Sequence, residues 1–119
     1  MMSSTASKAV RNRLPNRREH TALTFETADG FSFTAGLGYF DDGRLAEIFL
    51  NADKVGTAIE TNARDSAVVA SLALQHGVSP ETIRRALSRN ENGAASGPLG
   101  TLLDLLASRE TDEKGRKGT

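Results

Sequence analysis

The sequence predicts an α+β fold: an antiparallel three-stranded meander over about residues 21–50, covered by helices. Three observations predict it. Residues 21–50 alternate apolar and polar side chains with a period of two, interrupted by Asp-Gly turn signals. Residues 58–76 switch to a helical period and stop at Gly77. Two shorter helical patterns follow, at 80–89 and 98–108.

The first strand places Leu23, Phe25 and Thr27 on one face and Ala22, Thr24 and Glu26 on the other. Ala28-Asp-Gly30 is a turn signal. The second strand puts Phe31, Phe33, Ala35, Leu37 and Tyr39 on one face. Its alternation runs through Gly36 and Gly38, which favours a strand over a glycine-rich loop; glycine inside a strand marks a bulge or a close approach of another group. Asp42-Gly43 then reverses the chain. In the third strand Ala46, Ile48 and Leu50 share one face, while Leu45, Glu47 and Phe49 share the other with Phe40. A three-stranded sheet needs a cover for its apolar face.

The long helix supplies that cover. At about 100° per residue, Ile59, Ala63, Ala67, Ala70, Ala73 and Leu74 fall on one broad face. Val68 and Leu72 leave from nearly the opposite side, so a second cover is expected there. Ser79-Pro80-Glu81 opens the next helix: the serine caps, the proline suits the first helical position, and the glutamate suits the positive end of the dipole. Ile83, Ala86 and Leu87 are expected to face inward, and Arg84, Arg85 and Arg89 to be solvated. Residues 90–97 read as a flexible loop. The last helix carries Leu99, Leu102, Leu103 and Leu106 at helical spacing, and the Val68/Leu72 side of the long helix is one candidate mate. The organisation expected is a disordered basic arm at 1–12, one domain at 13–107 and a disordered charged tail at 108–119.

The chain has 119 residues, 38% of them apolar, which suits one small core with polar ends. It has no cysteine, and so no disulfide, thiolate metal site or thiol nucleophile. No apolar run has the length of a membrane span or a signal peptide, and a cytoplasmic location is the expectation. The net charge of zero hides an asymmetry: Lys8, Arg11, Arg13, Arg17 and Arg18 crowd the first twenty residues. A basic arm of this kind either binds nucleic acid or an acidic partner, or is simply solvated. Leu14 and Pro15 favour an extended segment lying along the body.

Catalytic motifs are scarce. His20 and His76 stand far apart in sequence and in no ligand pattern. No glycine stretch leads into Gly-Lys-Ser/Thr, and no serine sits in Gly-x-Ser-x-Gly or Ser-x-x-Lys. Asp41 and Asp42 are paired carboxylates, but in a turn. Glu47 is acidic within an apolar strand. It either faces water or, if buried, needs a cation such as Arg64 or an arginine of the Leu14 segment.

Two blocks carry a resemblance: Gly43-Arg-Leu-Ala-Glu-Ile-Phe-Leu50 and Ser71-Leu-Ala-Leu-Gln-His-Gly-Val78. With Leu14-Pro-Asn-Arg-Arg18 they resemble the TSCPD domain found toward the C-terminus of adenosylcobalamin-dependent ribonucleotide reductases and in short free-standing bacterial proteins. The likeness spans about 13–87, and the 96–100 segment resembles the ending of small bacterial members. It implies an association with ribonucleoside-diphosphate reductase, DNA synthesis and deoxynucleotide supply. The chain departs from the family in lacking the Thr-Ser-Cys-Pro-Asp segment, and it has neither a radical cysteine nor a redox pair. No catalytic residue, metal ligand or cofactor is therefore implied. The reading is a non-catalytic interaction or regulatory module, working as a homo-oligomer or with a protein partner such as a reductase component. Its candidate functional or interface residues are Arg13, Arg17, Arg18, Glu47, Phe49, Arg64, Val68 and Leu72. Two alternatives are a nucleic-acid-binding protein using the basic arm and a small nucleotide-binding protein or enzyme.

Overall fold

The computed structural model describes Arg11, residues 20–54 and residues 57–117. Strands β1 (His20–Glu26), β2 (Ser32–Tyr39) and β3 (Leu45–Ala52) form one antiparallel sheet in the order β1-β2-β3. Helices α1 (Ala58–Gln75), α2 (Pro80–Ala86) and α3 (Pro98–Lys117) follow. This is the α+β meander that the period-two pattern predicts. The arginines at 13, 17 and 18, with Leu14 and Pro15, lie outside the described residues.

Both hairpins use one turn. Thr27 N–H donates to Phe31 O at 2.9 Å and Gly30 N–H to Thr27 O at 2.9 Å; Phe40 N–H donates to Arg44 O at 2.8 Å and Gly43 N–H to Phe40 O at 2.9 Å. Gly30 and Gly43 each sit at φ +89°, a left-handed position that favours glycine.

The two strand glycines have separate uses. Phe49 lies opposite Gly36, and a Cβ there would meet the Phe49 ring at 3.5 Å. The register slips between Gly38 and Tyr39, so that Tyr39 pairs with Leu45 and Ala46 becomes the extra residue. The bulge corrects one expectation: Leu45 packs against the core beside Tyr39, not with Phe49 on the far face. Phe31 is corrected as well, because the strand starts one residue later and leaves Phe31 in the turn, 37% exposed.

Thr57 caps α1, its Oγ1 accepting from Glu60 N–H at 3.1 Å. At the other end, Gly77 at φ +93° lets Val78 N–H donate to Ala73 O at 3.0 Å, which closes the helix. The buried face is Glu60, Ala63, Ala67, Ala70, Leu74 and Gln75. Ile59, expected inward, is 39% exposed at the rim, since the buried stripe runs one position further round.

The core joins Phe33, Leu37, Ile48 and Leu50 of the sheet to the α1 alanines and to Leu99, Leu102 and Leu103 of α3. The leucine stripe therefore belongs to the main core. It does not cover Val68 and Leu72, which stay 53% and 41% exposed.

Three further differences concern the helical half. Helix α2 ends at Ala86, and residues 90–97 are pinned rather than loose: Asn90 N–H donates to Ala94 O at 2.8 Å, and Arg89 bridges Ala95. Gly93, at φ +89°, repeats the turn of both hairpins. Helix α3 runs on to Lys117 through the stretch expected to be a disordered tail.

Arg84 and Arg89, expected in water, converge on Asp104. Arg84 Nε lies 2.8 Å and Arg89 Nη2 2.7 Å from Asp104 Oδ1. Chiefly the Arg89 hydrogen bond, helped by Arg84 and opposed by partial burial, lowers the Asp104 pKa from 3.8 to about 2. A depressed carboxylate stabilises the fold above its unfolded pKa and loses that contribution as pH falls through the folded value. Asp104→Asn is thus expected to cost about 1 kcal/mol near neutral pH, after discounting for solvent screening of a partly exposed group. The cost should fade between about pH 4 and pH 2. Urea unfolding of both proteins across that window checks it; a pH-independent difference would refute the clamp.

Candidate functional site

The candidate residues meet where β3 and α1 run side by side. β3 is an edge strand, and α1 treats its outer edge as a neighbouring strand would. Ile48 N–H donates to Ser71 Oγ at 2.8 Å. The single proton of that hydroxyl is shared between Ile48 O at 3.1 Å and Ala67 O at 2.8 Å. One turn on, Gln75 Nε2 donates to Ala46 O at 3.0 Å, and Gln75 Oε1 accepts from Arg11 Nε. Gln75 is 1% exposed, so these bonds are what allow its amide to be buried. The two blocks that carry the family resemblance are the two segments stitched together here. Ser71 and Gln75 were not among the candidate residues; their i, i+4 spacing beside a sheet edge was the available signal.

Above this seam runs a groove of about 270 Å³. Glu47, Phe49, Arg64, Val68 and Leu72 line it, with Arg11. Five of the eight candidates are therefore brought together, and Arg13, Arg17 and Arg18 lie outside the described residues. Phe49, Val68 and Leu72 are 48%, 53% and 41% exposed, and Val69, which the sequence reading overlooked, is 66% exposed on the same helix. Phe49, Val68 and Leu72 thus form an exposed apolar cluster in the groove, with Val69 outside it. Arg64 takes Glu60 as its ion-pair partner, Nη2 to Oε2 at 3.5 Å. Glu47 is half-buried in the groove.

A second cleft, of about 440 Å³, lies between the β1–β2 turn, the first turns of α1 and the start of α3. Phe31 and Ile59 are on its rim, with Asn62, Ser66 and Ser96. No lysine, arginine or histidine lines it, so a nucleotide phosphate would find no counter-charge among the described residues. No group of three or more His, Cys, Asp or Glu among the described residues could hold a metal ion. Among them, too, no helix is long and apolar enough to cross a membrane.

These features define an α+β domain with a helix-sealed strand edge and an exposed apolar groove beside it. The chain belongs to the TSCPD domain family, whose model matches residues 7–109. It is also similar to the vitamin B12-dependent ribonucleotide reductase of Agrobacterium fabrum, 38% identical over 68 residues, which is 57% of this chain and 5% of that protein. The enzyme of the same name from Bradyrhizobium diazoefficiens is 35% identical over 68 residues, with the same coverage. The chain thus resembles one small region of much longer proteins. No solved structure matches it at a significant level. A corrin with its nucleotide tail is far larger than the cleft of about 440 Å³, so among the described residues that cleft does not fit vitamin B12.

Proposed function

We propose that this domain is a non-catalytic interaction module of ribonucleotide reduction, docking through the β3–α1 groove onto a vitamin B12-dependent reductase. The observation that carries the reading is the uncovered cluster of Phe49, Val68 and Leu72, which the domain's own third helix leaves exposed. In the relatives the matching stretch is 5% of the chain, and a domain of this size set in a long chain needs a surface against the remainder. The absence of cysteine fits a supporting role, because thiyl and disulfide chemistry both need sulfur. A cytoplasmic setting and a place in DNA synthesis follow from the same reading.

Burying a large apolar side chain is worth about 1.5–3 kcal/mol, or roughly tenfold or more in affinity. Phe49→Glu and Leu72→Glu should each weaken binding of the full chain to the purified reductase by at least about tenfold. Val78→Glu, at an exposed site on the loop after α1, should not. Sedimentation of the mixtures is the measurement. An unchanged complex in both groove variants, or no complex with the wild type, would sink the reading.

A further inference from the structure

The two edges of the sheet are treated differently. The outer edge of β3 is closed by Ser71 and Gln75. β1 is the opposite edge, and no described side chain bonds to the backbone of His20–Glu26 from outside the sheet. Among the described residues β1 also lacks three devices that keep edges solitary: it contains no proline or lysine, and its register with β2 runs without a bulge over seven residues. We propose that two copies of this domain pair through β1, antiparallel about Leu23, to make one continuous six-stranded sheet.

The occupant is a second copy because the strand complements itself. Pairing centred on Leu23 sets His20 of each copy opposite Glu26 of the other, a donor ring against a carboxylate at both ends. It sets Thr21 opposite Phe25, Ala22 opposite Thr24, and Leu23 opposite its own equivalent. In an antiparallel pair, opposite residues share a sheet face, and these matches obey that rule: odd positions on the core face, even positions on the open face. A slip by one residue would set core-face positions against open-face ones. A slip by two would take Glu26 away from His20. Leu23 is half-buried at the margin of the core, while Ala22 and Thr24 are exposed. The pairing gives Leu23 its missing neighbour. This surface is separate from the β3–α1 groove, so the proposal goes beyond the functional reading above.

The absence of native cysteine makes the test clean. Directly opposed residues of an antiparallel pair have Cα atoms about 4.5–5.5 Å apart, within disulfide range. Under mild oxidation, Leu23→Cys should give a covalent dimer of the full chain. Ala22→Cys mixed with Thr24→Cys should cross-link at least about tenfold more than either alone, and both positions are exposed, so folding is spared. Val69→Cys, exposed on α1, is the collision control. Cross-linking in the β1 variants no better than the Val69→Cys control would overturn the proposal. So would a wild type that sediments as a monomer at micromolar concentration. Persistence of the cross-link in a Leu72→Glu background is expected; its loss would move the contact to the groove and also overturn it.

Discussion

Leu102→Ala lowers the unfolding free energy by about 2–5 kcal/mol, whereas Leu72→Ala changes it by no more than about half a kcal/mol. Both are helical leucines, and sequence spacing alone made them candidates to touch each other. The structure separates them. Leu102 is 0% exposed, in the core with Phe33, Leu37 and Leu103, so truncation removes apolar contacts and leaves a cavity in a close-packed interior. Leu72 is 41% exposed beside the groove, and the fold loses little without it. Chemical denaturation followed by circular dichroism measures both. Two small effects of similar size would mean that α3 is not docked in the core and that the leucine stripe finds its mate elsewhere.

Ser71→Ala costs about 1–3 kcal/mol, a large effect for the loss of one oxygen atom. The hydroxyl occupies both backbone groups of Ile48 on the β3 edge, and alanine leaves them without a partner in a site that helix α1 shields from water. Amide exchange at Ile48 should quicken by at least about tenfold, since its N–H loses the only acceptor described for it. An unchanged exchange rate at Ile48 would show that the edge is sealed by something other than Ser71. A freed β3 edge also becomes a site for strand addition, so the variant is expected to associate more readily than the wild type.

Much of the candidate site could be read in the chain, and what could not has specific causes. Phe49, Val68 and Leu72 were picked out as apolar residues lacking an obvious partner, Glu47 as an acidic residue in an apolar strand and Arg64 as a cation that could serve it, and all five share one groove. Ser71 and Gln75 were missed because nothing local shows that a helix will lie against the backbone edge of a strand more than twenty residues earlier. Arg84 and Arg89 looked solvated for a similar reason: Asp104 lies on another helix, and only tertiary folding brings it to both. The ordered turn at 90–94 was legible but unread. Asn92-Gly93 repeats the acidic or amide residue plus glycine of Asp29-Gly30 and Asp42-Gly43, and all three turns close with the same pair of hydrogen bonds.

The amino-acid sequence by itself determined the three strands, the order of the helices, the tight turns and the absence of thiol chemistry. These depend on short-range causes: side-chain alternation, helical period, capping groups and the left-handed freedom of glycine. Tertiary structure decided which helix face is buried, where Leu45 points after the bulge, where the α3 leucines dock and why the two family blocks go together. Each of those is a choice among partners distant along the chain. Local pattern can say that an apolar or polar group needs a partner, but only close packing and the pairing of buried polar atoms say which one it gets.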